Sequence, residues 1–191
     1  MRYFDYAAAG PLDPFRSSAL RKLRLLSHLL RAVSAGYAGW VLWGILTGWL
    51  DAERIQRIFS KYLERDLSAM AASQRYGALA VDLMVWFLLF MAVAYCWNFL
   101  RCLTLANHLP EAARHLSRCA WFAIACEALA ELTRPLQTFL LTLHLPATEQ
   151  VWKWSFHNVH LLAVLFCVAL LLFAYLFTWT MELAEENRSF V

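Results

Sequence analysis

Charge is missing from most of this chain, and it is missing in blocks. Three apolar stretches, Val33–Leu50, Leu79–Leu100 and Val159–Met181, each contain at least 18 consecutive residues with no formal charge. A helix of that length crosses a hydrocarbon layer of ~30 Å at ~1.5 Å per residue. Soluble domains are nearer half apolar, and their apolar residues come in short periodic groups. This chain of 191 residues is 61% hydrophobic with a mean hydropathy of +0.49, which points to a single integral membrane domain with no room for a separate soluble one.

Other absences narrow the function. There is no glycine-rich nucleotide loop, no GxSxG elbow and no convincing Ser/His/Asp arrangement, so the chain reads as non-enzymatic. It has no HxxxH or CxxC pattern. His157 and His160 lie three apart with His144 before them, but a metal or haem site needs further ligands converging from other helices, and no cofactor is expected. All five cysteines lie in or beside apolar stretches, which argues for buried thiols and against a disulfide framework. The first 27 residues are polar and basic, without the apolar core of a cleavable signal, so the first span is expected to direct insertion. No internal repeat or low-complexity tract stands out.

A fourth apolar stretch, Cys119–Leu143, carries Glu127, Glu131 and Arg134 near its middle, followed by Pro135. Charges at membrane depth cost several kcal/mol unless paired or hydrated, so these side chains should face helices or water. The spacings of four and three put them on one helix face. Pro135 cannot donate to the Glu131 carbonyl, and a bend or opening is expected there. Three readings stay open: a proton or cation site, an internal Glu131–Arg134 ion pair, or an early exit of this span into water. Asp82, near the start of the second span, either joins the group or is interfacial.

The fold class that follows is all-α: four transmembrane helices in an antiparallel bundle, at about 28–50, 79–100, 116–143 and 157–181. An amphipathic helix at about 52–72 follows the first span. There Ile55, Ile58, Phe59, Tyr62, Leu63, Leu67 and Met70 recur at helical spacing among charged residues, and Asp51 is placed to cap the helix. It either covers the bundle or acts as a lid or subunit contact. Phe15–Leu30 reads as a basic helix that lies on the membrane surface or extends the first span. Its leucines interleave with the arginines, which argues against direct nucleic-acid binding.

Ten Lys or Arg fall on the side of the termini, among them Arg114 and Arg118, against six on the other side. The positive-inside rule then places both termini in the cytoplasm. Trp49, Trp152 and Trp154 fall near the outer boundary and Trp97, Trp121 and Trp179 near the inner one, as indole rings prefer the headgroup layer. Trp40, Trp43 and Trp86 lie deeper and read as packing residues.

The ending, with Glu185, Glu186 and Asn187 just after the last span and Val191 at the end, resembles a bacterial four-span inner-membrane family of unknown function. The turn and helix start over Leu109–Trp121, with Arg114, Leu116 and Arg118, is similar as well. Ser189 and Phe190 depart from the family's commoner Leu-Thr. Members are often encoded beside a small helix-turn-helix regulator. The resemblance therefore implies a membrane regulator or scaffold that binds a cytoplasmic protein, such as a transcription factor. Arg114, Arg118, Glu182, Glu185 and Glu186 are the residues available for docking. The rival reading is a small oligomeric transporter or channel that uses the carboxylates of the third span; four spans form a thin pathway alone, so transport favours a homo-oligomer.

Overall fold

A computed structural model describes residues 14–103, 109–154 and 158–189. Among these residues the chain is entirely helical apart from connections: α1 (Pro14–Leu50), α2 (Ala52–Leu63), α3 (Ala72–Leu103), α4 (Leu109–Thr142) and α5 (Asn158–Ser189). Three segments are long and apolar enough to cross a membrane: Arg24–Leu50, Ala72–Leu103 and Leu161–Thr180. The fourth long helix, α4, has 34 residues but interrupts its apolar surface with the Glu127–Arg134 group.

Helix α1 opens with Pro14, whose fixed φ and missing amide suit the first helical position. It continues for 37 residues without a break, so the basic segment extends the first span. Asp51 caps α2 as its sequence predicts, with its carboxylate accepting from the Arg54 amide at 3.0 Å and Glu53 in the first turn. The helix is shorter than its apolar spacing implies. It ends at Leu63, because Glu64 takes a left-handed conformation with φ of 55°. Leu67 follows the spacing but belongs to the connection, where it is completely buried.

The long helices form an open row. Helices α3 and α4 pack most closely, α5 lies against α4, and α1 lies against α3. Alanines make the central approach close: Ala112, Ala113 and Ala120 of α4 and Ala78 of α3 are almost wholly buried. Among the described residues no substantial contact joins α1 to α5, and the long helices neighbour one another in the order α1, α3, α4, α5. The physical reason lies in the solvent. Lipid tails are as apolar as leucine, so nothing drives α1 and α5 to hide their outer faces. Phe166 of α5 is 76% exposed and Trp40 of α1 75%. Trp40 and Trp43, expected to pack, therefore lie on the outside of the row.

Among the described residues, the end beneath α2 carries a hydrophobic core built on aromatic and branched side chains. Ile55, Phe59 and Leu63 of α2 press onto Trp49, Leu67, Ala78 and Leu141, and the Trp49 and Phe59 rings stack at 5.8 Å. The returning chain is tied over the same end. Val151 and Lys153 donate their amides to Thr142 and Thr138 at 3.1 and 3.2 Å, and the Lys153 ammonium donates to the Tyr62 carbonyl. Thr138 and Thr142 are fully buried, and each hydroxyl donates back to a carbonyl of its own helix.

Candidate functional site

Below α2, a pocket of about 520 Å³ opens between α1, α3 and α4. Its α1 wall contains Gly44 and Gly48, where an added Cβ would meet nothing within 4 Å. Its roof is Ile55 and Phe59. Its polar lining is Asp82 from α3 with Glu131, Arg134 and Gln137 from α4.

Asp82 joins three helices. The Trp49 indole of α1 donates to its Oδ2, and the Gln137 amide of α4 donates to its Oδ1 at 2.7 Å. Both carboxylate oxygens are thus occupied from within the protein. Glu131 is arranged differently, because its Oε2 is buried and has no hydrogen-bond partner. Arg134 is exposed in the same pocket. By formal charge the pocket holds two carboxylates and one guanidinium, a balance of one negative charge beside the buried Glu131 Oε2. An uncompensated buried charge is costly, so this lining suits a single positive charge from outside.

The sequence-predicted group is therefore brought together in part. Glu131, Arg134 and Asp82 share the pocket, whereas Glu127 does not line it. Glu127 lies near enough to Cys126 and Cys167 to act on them electrostatically, toward α5. The helix does not open at Pro135: α4 runs unbroken from Leu109 to Thr142, with Pro135 buried inside it. The carbonyl of Glu131 still has no amide to accept from at position 135. Trp49 and Gln137 escaped the sequence reading. Both are neutral, and only the indole N–H and side-chain amide, both in need of partners when buried, hinted at a role.

The indoles of α3 fasten α1 along the rest of its seam. Trp97 donates to Ser34 Oγ at 2.8 Å, Trp86 donates to the Ala38 carbonyl at 2.9 Å, and Arg31 donates to the Trp97 carbonyl at 3.1 Å. Trp49 and Trp97, expected at the two boundaries, are cross-helix donors.

The candidate docking residues lie at the opposite end from α2. Arg114 and Arg118 are exposed and line a cleft of about 260 Å³ with Glu111 and His115. Glu182 and Glu186 are exposed near the end of α5, while the side chain of Glu185 lies outside the described set. His157 lies outside the described residues and so does the side chain of His160; among the described residues no three His, Cys, Asp or Glu converge as metal ligands.

No protein-family model, no curated protein and no solved structure matches this chain.

Proposed function

We propose that the protein is a non-enzymatic, multi-pass protein of the bacterial inner membrane that binds a small cation, inorganic or a compact amine, in the pocket beneath α2. In this reading α4 is a fourth span, both termini are cytoplasmic and α2 lies at the outer interface. One observation carries it: Glu131 holds a buried oxygen without a partner in a pocket whose formal charge is −1. Glycines on the α1 wall leave room for the ligand.

The test is a titration of the detergent-purified protein with sodium, potassium and methylammonium chlorides at constant ionic strength, following the tryptophan emission that Trp49→Phe removes. At least one cation should saturate that signal in the wild type and lose its effect in Glu131→Gln. No response to any of them, or an unchanged response in Glu131→Gln, refutes the reading. Flux into proteoliposomes then separates transport from binding alone.

A second reading, docking of a cytoplasmic regulator, is favoured by the exposure of Glu182 and Glu186 at the same end of the row as Arg114 and Arg118. It requires a stoichiometric DNA-binding protein to co-purify, and Glu185→Lys with Glu186→Lys to release it.

A further inference from the structure

The open face of α4 opposite the cation pocket has a separate organisation. Arg114, Arg118, Trp121, Ala125, Ala128 and Leu132 follow one another at spacings of four and three, and all are exposed. They form one straight stripe with two guanidinium groups at one end and apolar side chains beyond. Helix α3 supplies the matching border. Arg118 sits over the Tyr95 ring at 5.7 Å, and the His115 ring lies 6.0 Å from the same tyrosine. Two turns further along that face of α3, Leu88, Met84 and Phe87 meet Leu129 of α4 in a groove of about 320 Å³ with almost no polar surface.

The cleft is lined from α4 alone and the groove by α3 with Leu129. The half-buried stacked rings of Tyr95 and Phe122, 5.3 Å apart, lie between them along α4; the furrow is this run of surface. Eleven residues separate Arg118 from Leu129, a rise of about 16 Å, which matches one leaflet of a hydrocarbon layer ~30 Å thick. The charged end has unused capacity. By formal charge the two arginines outweigh Glu111, and His115 Nδ1 is buried without a hydrogen-bond partner. Paired guanidinium groups recognise phosphate oxygens, and basic pockets between spans on the cytoplasmic side hold anionic headgroups.

We infer that this furrow is a site for an anionic phospholipid, with its phosphate on Arg114, Arg118 and His115 and one acyl chain lying along Phe122 and Ala125 into the groove at Leu129. The assignment rests on α4 as a membrane span but not on the cation pocket, which lies on the other face of the helix. A free phosphate would satisfy the arginines alone. The furrow's apolar length selects the lipid.

Native mass spectrometry of the detergent-purified full chain tests the site, with phosphatidylglycerol, phosphatidylcholine and inorganic phosphate as probes. Phosphatidylglycerol should be retained in preference to phosphatidylcholine. Its affinity should fall about thirtyfold in the Arg114→Gln/Arg118→Gln variant, given the usual contribution of two surface-level arginines. Leu129→Trp fills the groove and leaves the charge untouched, and it should weaken phosphatidylglycerol as well. Inorganic phosphate should not displace the lipid. Equal retention of the two lipids by the wild type overturns the site whether or not the variants fold. So does phosphatidylglycerol binding that ignores Leu129→Trp and yields to phosphate, because that pattern marks a phosphate site without a lipid seat.

Discussion

The two ends of the helix row are built on different principles. The end beneath α2 resembles the interior of a water-soluble protein, with an aromatic core, buried threonines that hold the returning chain, and a carboxylate of α3 satisfied from α1 and α4. The opposite end carries exposed arginines and glutamates and is packed through small side chains, with Ala112, Ala113 and Ala120 almost wholly buried beside Leu116. In a membrane, apolar surface gains little by meeting other apolar surface, so hydrogen bonds, close packing of small side chains and a cap at the water boundary fix the arrangement. The end beneath α2 has the cap and the pocket lined by Asp82 and Glu131, whereas most of the buried small side chains lie at the other end.

The contrast can be broken most strongly at Phe59. Phe59 is only 6% exposed and its ring stacks on Trp49 in the core under α2, so Phe59→Ala should cost about 3–5 kcal/mol. Trp179→Ala, at a side chain 59% exposed on α5, should change stability by less than about 0.5 kcal/mol. Thermal unfolding in detergent checks both, and equal losses would abolish the distinction between the ends. A smaller effect is expected at the three-helix node. Trp49→Phe keeps the ring but removes the donor to Asp82 Oδ2, at about 1–3 kcal/mol for a buried acceptor left unmet. Unchanged stability would mean that water replaces the indole.

The smallest effect concerns pH. Asp66 accepts from the Ser68 amide and hydroxyl at 2.8 and 2.9 Å, and these bonds hold its carboxyl below the ordinary value of 3.8. A depressed folded value means that the contribution is complete above the unfolded value and disappears as pH falls through the folded one. The turn should therefore loosen only in acid below about pH 4, and Asp66→Asn should lose that dependence. Hydrogen exchange of the Ser68 amide across that range reads the change directly.

Much of the architecture was legible because length and charge are local properties. Asp51 announced the start of α2, and the charges of α4 announced a polar site. The end of α2 was hidden, because Leu67 keeps the helical spacing while a glutamate, with no glycine to mark it, takes the left-handed turn that stops the helix. The pocket was half visible. Asp82, Glu131 and Arg134 stood out as charges in apolar surroundings, but their grouping depends on how α1, α3 and α4 rotate against one another. Trp49 and Gln137 could not be told from packing residues until that rotation was known. The order of helices in the row was also hidden, since every long helix is apolar on more faces than it has neighbours.

The length of α1 has a mechanical consequence. At 37 residues it is a rigid rod of about 55 Å, nearly twice the thickness of the hydrocarbon layer. One end forms a wall of the pocket, and its bonds to α3 lie between Arg31 and Trp49. Packing continues past that seam to Ser27, which is buried. A tilt of about 5° at Trp49 would displace Arg31, about 27 Å away, by about 2 Å, so movement at the pocket must break the bonds along the whole seam.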